Sequence, residues 1–543
     1  MDHSWITEGL RRHFSRMGWH ALLLLLWALP LCDSGKILVY PIDGSHWLNM
    51  RVLVEALHAR GHEITVLRSS TSWYVSEHSP YYSSITIPQS RPQNLESEDF
   101  MAGFLQRSIE IRKNRGSLWA LIDFYKNLFE MIRENQEVVV EFVVTIFENK
   151  TLIKELRDTG YDVFLTDPAF PGGVLLAHYL KLPTVFNVRW IFNGDSHFIL
   201  APSPLSFVPQ LFSQYTDKMN FFQRLSNVFY HSVLVYMLHY VSNPPYQAAC
   251  DRYFGPGTDV VSMMLGGDIW LMRIDFTFDF PRPTMPNVVY IGGFHGKPSK
   301  PLPADLEEFV QSSGEHGVII MTMGTLLGDL GPERSEVVAA AFAALPQKVI
   351  WRHVGQRPVA LGNNTRLVQW MPQNDLLGHP KTRLFVTHGG TNGLYEAIYH
   401  AVPILGIPLI FDQFDNMERM KARGVAEFVE LTTLDTDILV KALQSLLDPK
   451  QPYKSNMLKL SQLFHDKPIK PLDSAVFWTE FVMRHKGAPH LRSESYKLPW
   501  YTYHSLDVIA TVLAAVLLTL YTVYVFCRFL IRSLMRVKKS KIE

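Results

Sequence analysis

Residues 383–398 read RLFVTHGGTNGLYEAI, and they carry the clearest structural pattern in the chain. The apolar run Leu384–Val386 is typical of a short buried strand. His388 and two glycines interrupt the run. Apolar residues then recur at helical spacing from Leu394 to Val402, as expected of one buried helix stripe. The stretch therefore predicts a strand, a glycine turn and a helix, which is one βα unit of a parallel sheet.

The turn at Gly389 and Gly390 has two interpretations. A helix start leaves backbone N–H groups without helical partners, and the helix dipole adds positive potential there. Such a turn suits an anion, and phosphate above all. The same glycines also fit an ordinary tight turn, because short glycine motifs often occur without any binding function.

Strand-like and helical segments alternate on both sides of this stretch. The first half opens with a strand at Lys36–Tyr40, then a helical pattern, then a second strand at Ile64–Leu67. Further alternation follows the proline-rich stretch Lys297–Pro303, which reads KPSKPLP and breaks the pattern. The chain is therefore predicted to be an α/β protein with two doubly wound parallel sheets, joined by a linker at that stretch.

Bulk composition excludes some classes of partner. The chain has 543 residues, enough for two large domains with additional segments. Its 52 lysines and arginines nearly balance 51 aspartates and glutamates, which gives a formal net charge of +1. Nucleic-acid-binding domains usually show a basic excess, so we expect no nucleic-acid partner.

Both ends of the chain predict a membrane protein. Residues 1–35 contain arginines, a short apolar run and then small or polar residues, as in a secretory signal peptide. Residues 507–527 are mostly apolar and long enough to span a bilayer. The basic tail at 528–543 follows directly, which predicts a cytosolic tail and a lumenal body. A buried core helix is the alternative for 507–527, but the adjoining basic cluster disfavours it.

Smaller signals agree with a lumenal body. Of three cysteines, only Cys250 lies between the two terminal segments, so no internal disulfide is expected there. Glycosylation sequons begin at Asn149 and Asn363. Lys539 and Lys541 resemble a dilysine signal for retrieval to the endoplasmic reticulum, although a simple basic membrane anchor explains them equally.

The segment Pro204–Val241 is rich in phenylalanine, leucine, tyrosine and valine. This composition suits a surface that docks on a membrane, or the lining of an apolar substrate pocket. Core helices of the first half would have the same composition. The sequence leaves these interpretations open.

A longer motif contains the opening stretch. Residues 370–416 read WMPQNDLLGHPKTRLFVTHGGTNGLYEAIYHAVPILGIPLIFDQFDN. They closely resemble the UDP-sugar signature of the UDP-glycosyltransferases, most of all the vertebrate membrane-bound UDP-glucuronosyltransferases, and the resemblance covers nearly the whole chain. It implies the GT-B fold, in which two doubly wound α/β domains face each other, with one C-terminal transmembrane helix. The implied bounds are 36–296 for the acceptor-binding domain, 297–470 for the donor-binding domain and 471–506 for a C-terminal helix and membrane-proximal segment.

The resemblance implies three contacts to the uridine. Trp370 would stack on uracil, and Gln373 would bind a base edge or the ribose. Glu396 would accept hydrogen bonds from the ribose hydroxyl groups. Each residue also has an ordinary explanation, since a tryptophan can fill a core and a glutamate can lie on a solvated helix face.

The resemblance also implies contacts to the diphosphate. His388, Gly390 and Asn392 at the helix start would offset the negative charge of the leaving UDP. Thr325, in the segment MTMGTLLG, resembles a second phosphate turn in which family members usually carry serine. These groups imply no metal ion, because they take the role that Mg²⁺ has at other phosphate sites.

The sugar contacts are implied by the resemblance as well. Asp412 and Gln413 would grip the sugar hydroxyl groups, although the pair could also form a simple turn. Arg273 would bind the diphosphate or a sugar carboxylate, and a surface ion pair is its alternative.

Catalysis is predicted for the first half. His46 stands at the carboxyl end of the first strand, where open α/β sheets bind ligands, and it matches the family's catalytic base. Asp167 matches the supporting aspartate that orients and stabilises the imidazole. An exposed loop histidine and a helix N-cap are the ordinary alternatives for the two residues.

The resemblance implies an enzyme that inverts the sugar while transferring glucuronic acid from UDP-glucuronate to a hydroxyl of a small lipophilic acceptor. The products would be a β-glucuronide and UDP. UDP-glucuronate is a co-substrate, and no cofactor is implied. Membrane lipid is an expected partner, and so are homo- or hetero-oligomers with related transferases, in a single-pass type I protein of the endoplasmic reticulum. The alternatives are a UDP-glucose or UDP-galactose transferase acting on lipid or phenolic acceptors, and a non-catalytic membrane-anchored partner subunit.

Overall fold

Two parallel β-sheets organise the body of the chain. The computed structural model describes residues 34–91, 98–114, 117–189, 195–324 and 330–540. The predicted signal peptide, apart from its last two residues, and Thr325 lie outside these ranges. The chain divides after Pro489 into a large unit that contains both sheets and a smaller C-terminal unit.

The first sheet has seven strands, all paired in parallel. They are Lys36–Tyr40 (β1), Glu63–Ser69 (β2), Ser83–Ile87 (β3), Val163–Thr166 (β4), Thr184–Val188 (β5), Ile269–Met272 (β6) and Val288–Tyr290 (β7). Their order is β3-β2-β1-β4-β5-β6-β7. The central strands β4, β5 and β6 are buried along their whole length, because helices cover both faces of the sheet.

The helices of the first half differ widely in length. They are Ser45–Ala59 (α1), Glu98–Lys113 (α2), Leu118–Glu148 (α3), Lys150–Asp158 (α4), Gly172–Leu180 (α5), Ser196–Ile199 (α6), Phe221–Tyr236 (α7), Pro244–Phe254 (α8) and Val260–Leu265 (α9). A π-helical turn at Met237–Ser242 continues from α7. Asn220 caps α7 by accepting the Gln223 backbone N–H at 3.0 Å, and the Gln223 side chain returns a bond to the Asn220 backbone.

The second sheet has six parallel strands. They are Val318–Thr322 (β8), Lys348–Arg352 (β9), Thr365–Val368 (β10), Thr382–Thr387 (β11), Ile404–Gly406 (β12) and Ala426–Phe428 (β13). Their order is β10-β9-β8-β11-β12-β13. Alternate residues of β8 enter different cores, with Ile319 and Met321 in one and Val318 and Ile320 in the other.

Seven helices lie between residues 304 and 465 in the described part of the large unit. They are Ala304–Gln311 (α10), Pro332–Ala343 (α11), Gln373–Leu377 (α12), Thr391–Tyr399 (α13), Gln413–Ala422 (α14), Thr436–Leu447 (α15) and Tyr453–His465 (α16). A short 3₁₀ turn lies at Leu431–Thr433. The predicted linker, residues 297–303, lies between β7 and α10.

Two helices pack on the sheet of the other half. Leu105 and Ile109 of α2 belong to the apolar core on one face of the second sheet. The helix Pro471–His485 (α17) follows the second sheet in sequence but packs against α1 and strands β4–β7. Glu480 on α17 binds Arg60 at 2.9 Å there. The two halves are therefore joined by exchanged helices as well as by the linker.

The C-terminal unit contains 3₁₀ turns and two helices, Trp500–Tyr503 (α18) and Leu506–Ser540 (α19). Residues Leu506–Met535 of α19 are long and apolar enough to cross a membrane. The helix includes the predicted span 507–527 and continues through most of the basic tail.

The aromatic segment Pro204–Val241 divides between surface and core. Phe221 and Phe222 at the start of α7 are exposed, whereas Leu234 and Val241 are buried. The buried residues pack against α3 in one apolar cluster. Core packing therefore explains the end of the segment but not the start of α7.

Candidate active site

The switch point of the first sheet lies between β1 and β4, because the order of the strands reverses there. His46 lies on the first turn of α1, which follows β1, and Asp167 directly follows β4. Gly44 precedes α1 with a φ of 74°, an angle at which glycine turns without steric strain. Both predicted catalytic residues therefore lie where open α/β sheets bind ligands.

His46 and Asp167 form a buried hydrogen-bonded pair. Nδ1 of His46 lies 2.7 Å from Oδ2 of Asp167, and the side chains are only 6% and 1% exposed. The other Asp167 oxygen accepts the backbone N–H of Ala169 at 2.9 Å. Because the carboxylate accepts the bond from Nδ1, the neutral ring keeps a lone pair on Nε2. That atom can act as a general base.

Arg189, which the sequence did not predict as a site residue, lies beside the His46–Asp167 pair. Its guanidinium donates to Oγ of Ser45, and its backbone N–H lies 3.4 Å from Oδ2 of Asp167. Burial lowers the pKa of His388 and raises that of Asp412, and the Arg189 charge, the next influence on each, lowers both. Its position directly after β5, on the same sheet edge as Asp167, was the available signal.

The switch point of the second sheet lies between β8 and β11. Gly324 follows β8, and His388 follows β11. A Cβ atom on Gly324 would come within 2.8 Å of the His388 ring, and one on Gly390 within 2.5 Å. The two glycines therefore leave the space that the ring occupies.

His388 is a neutral group in this environment. Burial lowers its pKa to about 4, and the charge of Arg189 acts in the same direction. At neutral pH the ring thus carries one N–H, which can donate to an anion without being a cation itself. The adjoining helix α13 begins at Thr391 without a side-chain cap, and the first N–H groups of a helix have no intrahelical partners.

Arg273 joins the two halves by a direct side-chain contact. Its Nη2 donates to Oδ1 of Asn392 at 2.6 Å. The side chain is 4% exposed, and its Nε and Nη1 have no hydrogen-bond partner within the described part of the chain. Burial lowers the pKa of Arg273 to about 9, with Arg189 as the next cause. A buried guanidinium whose Nε and Nη1 nitrogens lack partners can bind an anion.

Two of the three predicted uridine contacts, Gln373 and Glu396, are in direct contact. Nε2 of Gln373 donates to Oε2 of Glu396 at 2.5 Å. Burial raises the pKa of Glu396. Trp370 stands before α12 with 73% of its side chain exposed, so its indole face is open for stacking.

Asp412 and Gln413 begin α14, but their side chains have different partners. Oδ2 of Asp412 accepts from Nδ2 of Asn416 at 2.7 Å. Oε1 of Gln413 accepts the backbone N–H groups of Leu409 and Ile410 at 2.8 and 3.0 Å. The Gln413 oxygen therefore holds the preceding turn, and its amide nitrogen is the group that can face a sugar.

The remaining predicted sites are simpler. Asn149 and Asn363 are both exposed, as a glycosylation site requires. Asn149 also caps α4 by accepting the Leu152 N–H at 3.0 Å. Among the described residues, no group of three histidine, cysteine, aspartate or glutamate side chains is placed to hold a metal ion.

Comparisons with known proteins place these observations in a family. Residues 35–541 match the family described as "UDP-glucoronosyl and UDP-glucosyl transferase". Mouse UDP-glucuronosyltransferase 2A2 is 40% identical over 530 residues, which cover 96% of this chain and 98% of the relative. Human UDP-glucuronosyltransferase 2B17 is 40% identical over 533 residues, covering 96% and 99% of the two chains.

Solved structures are similar in fold at much lower identity. A UDP-glucosyltransferase from Polygonum tinctorium has a TM-score of 0.57 and 14% identity, over 83% of this chain and 99% of that chain. The calicheamicin glycosyltransferase CalG4 has a TM-score of 0.51 and 18% identity, with 83% and 99% coverage. The two facing parallel-sheet halves thus form a GT-B fold, and the chain belongs to the UDP-glucuronosyl and UDP-glucosyl transferase family.

Proposed function

We propose that this chain transfers glucuronic acid from UDP-glucuronate to a hydroxyl group of a small lipophilic acceptor, with inversion at the anomeric carbon. The observation that carries the proposal is the buried His46–Asp167 pair at the switch point of the first sheet. The similar mouse and human proteins are UDP-glucuronosyltransferases, which supports the same donor here.

The proposed reaction is a direct displacement. Nε2 of His46 removes the proton from the acceptor hydroxyl as its oxygen attacks C1 of the sugar. The bond between C1 and the diphosphate oxygen breaks, and UDP leaves with the negative charge. Asp167 stabilises the imidazolium that forms. A single base on one face of the sugar favours inversion, so the product is a β-glucuronide.

The second half would stabilise the leaving group. The N–H groups at the start of α13 and the neutral His388 ring are fixed before the reaction, so they can receive the diphosphate charge without rearranging. Trp370 and Glu396 would hold the uridine beside them. This arrangement uses no metal ion or cofactor.

Arg273 supports glucuronate as the donor sugar. Its Nε and Nη1 have no partner in the described part of the chain and can donate to a carboxylate, and the sugar of UDP-glucuronate carries one. The diphosphate is the other anion that Arg273 can bind. In that case the arginine would serve glucose and glucuronate donors equally.

The acceptor is proposed to lie in an aromatic cavity of about 250 Å³ between the two halves. Its walls include side chains from α2, α3, the loop before α7, α7, the turn before α14 and α14 itself: Phe104, Ser108, Phe124, Tyr125, Phe212, Tyr230, Phe411 and Phe414. Phe411 directly precedes Asp412, so the cavity adjoins the proposed sugar site. The volume suits a molecule of one or two rings. These features support a small lipophilic acceptor.

A donor panel tests the proposal. Microsomes containing the full chain would receive a simple phenol with UDP-glucuronate, UDP-glucose or UDP-galactose, and product mass would be measured. We expect a glucuronide, and the anomeric proton should report a β linkage by NMR. Product from UDP-glucose alone would contradict the donor assignment. UDP binding without turnover of any donor would favour a non-catalytic partner subunit.

We also propose a single-pass type I topology in the endoplasmic reticulum. The basic residues after the apolar part of α19 support a cytosolic tail, and the exposed sequons support a lumenal body. Membrane lipid would surround α19, and homo- or hetero-oligomers with related transferases are consistent with this topology. Endoglycosidase treatment should increase gel mobility, and Asn149→Gln with Asn363→Gln should remove that shift.

A further inference from the structure

Asn416 lies beneath the proposed donor site and has no role in the reaction described above. It is 2% exposed and sits on the first turn of α14. Its Nδ2 donates to Oδ2 of Asp412 at 2.7 Å and to the carbonyl oxygen of Gly389 at 3.0 Å. One amide group thus binds both the Asp412 carboxylate, which is proposed to bind the sugar, and the Gly389–Gly390 turn, which is proposed to bind the diphosphate.

The partners of Asn416 fix the orientation of its amide. A backbone carbonyl such as that of Gly389 only accepts hydrogen bonds, so it must face the NH₂ group. Nη1 of Arg419 only donates, and it lies 3.3 Å from Oδ1 of Asn416. The reverse orientation would point the amide oxygen of Asn416 at the acceptor oxygens of Gly389 and Asp412. Its NH₂ group would then face the Arg419 donor. Asn416 therefore presents one N–H to Asp412 in a fixed direction.

Arg419 carries this constraint to the first half of the chain. Its Nε lies 2.9 Å from Oδ1 of Asp279, and both side chains are largely buried. Burial would raise the pKa of Asp279, but the charges of Arg419 and Arg282 lower it overall. Asp279 lies between β6 and β7 of the first sheet, so the ion pair crosses between the halves.

We propose that Asn416 is a positioning residue, through which the Asp279–Arg419 pair sets the direction of the Asp412 carboxylate relative to the Gly389–Gly390 turn. This inference rests on the proposed function, in which Asp412 binds the sugar and the turn binds the diphosphate. Asn416 touches neither substrate. It acts by holding those two groups in one geometry, so its loss should alter recognition of the sugar more than folding of the domain.

A double-mutant cycle between Asn416 and Asp412 tests the inference. Asn416→Ala alone should lower kcat/KM for the donor about 10- to 100-fold, the usual effect of losing a hydrogen bond to a charged group. In an Asp412→Ala background the same change should have little further effect, because the group it positions is gone. Additive effects on kcat/KM would overturn the proposal.

Binding measurements separate positioning from folding. The affinities for UDP and for the UDP-sugar would be measured by calorimetry on each purified full-length variant. Positioning predicts that Asn416→Ala lowers the ratio of sugar-nucleotide affinity to UDP affinity. A purely structural role would reduce the active fraction and leave that ratio and KM unchanged, which would also overturn the proposal.

Asn364 provides a matched control. Its Nδ2 donates to three backbone carbonyls in the same half, those of Phe342, Leu345 and Gln347, without contact to Asp412. Asn364→Ala should lower the free energy of unfolding. Any change that it causes in kcat/KM should be the same in the wild-type and Asp412→Ala backgrounds. The change also preserves the sequon at Asn363, because only proline is excluded at that position.

A second variant covers the case in which Asn416→Ala does not fold. Asp279→Asn keeps the size of the side chain and removes its charge, so Arg419 loses its ionic partner. We expect a smaller fall in the same affinity ratio, and no fall in the Asp412→Ala background. Every arm uses the UDP-sugar that the donor panel shows to be turned over. If the donor proves not to be UDP-glucuronate, a different UDP-sugar is used, and the double-mutant cycle still tests the role of Asn416.

Discussion

The two switch points use different chemical groups at equivalent places in their sheets. The first sheet presents two side chains, His46 and Asp167, which bind each other at 2.7 Å and are nearly inaccessible to solvent. The second presents a histidine between glycines, and a helix start with free backbone N–H groups. The switch point of the first sheet is therefore suited to proton transfer, and that of the second sheet to binding negative charge.

The difference shows how one architecture can supply two halves of a transfer reaction. Proton transfer needs a base with a fixed tautomer, which a buried carboxylate provides. Stabilisation of a leaving group needs several donors that are already oriented, which backbone amides provide. Arg273 connects the two switch points, because it comes from the first half and donates a hydrogen bond to Asn392 of the second.

The largest expected effect is at the switch point of the first sheet. His46→Ala removes the proposed base, so kcat should fall about 10²- to 10⁴-fold while UDP affinity stays close to wild type. UDP release and equilibrium UDP binding would be measured on the same preparation. His78→Ala is a suitable control, because His78 is exposed and lies outside the site. Near-normal turnover in His46→Ala would remove the base assignment.

Arg273→Lys tests the contact between the two switch points. A lysine keeps the charge but loses the planar set of N–H groups, so KM for UDP-glucuronate should rise about 10- to 100-fold. If Arg273 binds the sugar carboxylate, UDP affinity will change little. An equal loss of UDP affinity would assign Arg273 to the diphosphate instead. Arg366→Lys, at a surface ion pair with Asp305, should leave both values unchanged.

Trp370→Ala tests whether the second half of the chain binds the uracil ring of UDP by stacking. Because the indole is 73% exposed, its removal should change the free energy of unfolding by no more than about 0.5 kcal/mol. The loss of one base-stacking contact should weaken UDP binding about tenfold. Calorimetric titration with UDP and urea unfolding would measure the two quantities. Unchanged UDP affinity would contradict the stacking role.

A further expected effect concerns pH and the neutral His388 ring. In the folded chain its pKa is lowered to about 4, whereas an unfolded histidine titrates near 6.5. Below about pH 6.5 the unfolded chain therefore binds more protons, so stability falls as pH decreases toward 4. His388→Gln should lose less stability than the wild type between pH 7 and pH 5, as measured by the urea midpoint. Equal losses would show that His388 is not protected from protonation.

Local sequence patterns predicted many of the residues at the two switch points. The strands, the glycine turn and the α13 stripe follow from apolar spacing, and the comparisons confirm the family and the GT-B fold. His46 and Asp167 were predicted at strand ends, and the structure brings them together across 121 positions of sequence. The assigned roles of the site residues remain predictions, since geometry alone does not test them.

Other features could not be found from the sequence, because they depend on contacts between distant segments. Nothing local distinguishes Asn416 from many other asparagines, and the only signal for Arg189 was its place directly after β5. Gln413 was predicted to grip the sugar, and only its hydrogen bonds show that its oxygen is occupied by the turn at Leu409 and Ile410. The positions of α2 and α17 on the opposite sheets were equally hidden, since apolar faces do not identify their partners.

Periodicity, glycine placement and the long apolar C-terminal segment are local properties, and they were enough to specify an α/β chain with a helix able to span a membrane. The hydrogen-bonded pair, the link from Asp279 through Arg419 to Asn416, and the contact between Arg273 and Asn392 arose only on folding. Their geometry depends on the relative placement of two sheets, which no spacing within either half encodes. Packing brings those side chains within hydrogen-bond distance, and it therefore gives the site its specific shape.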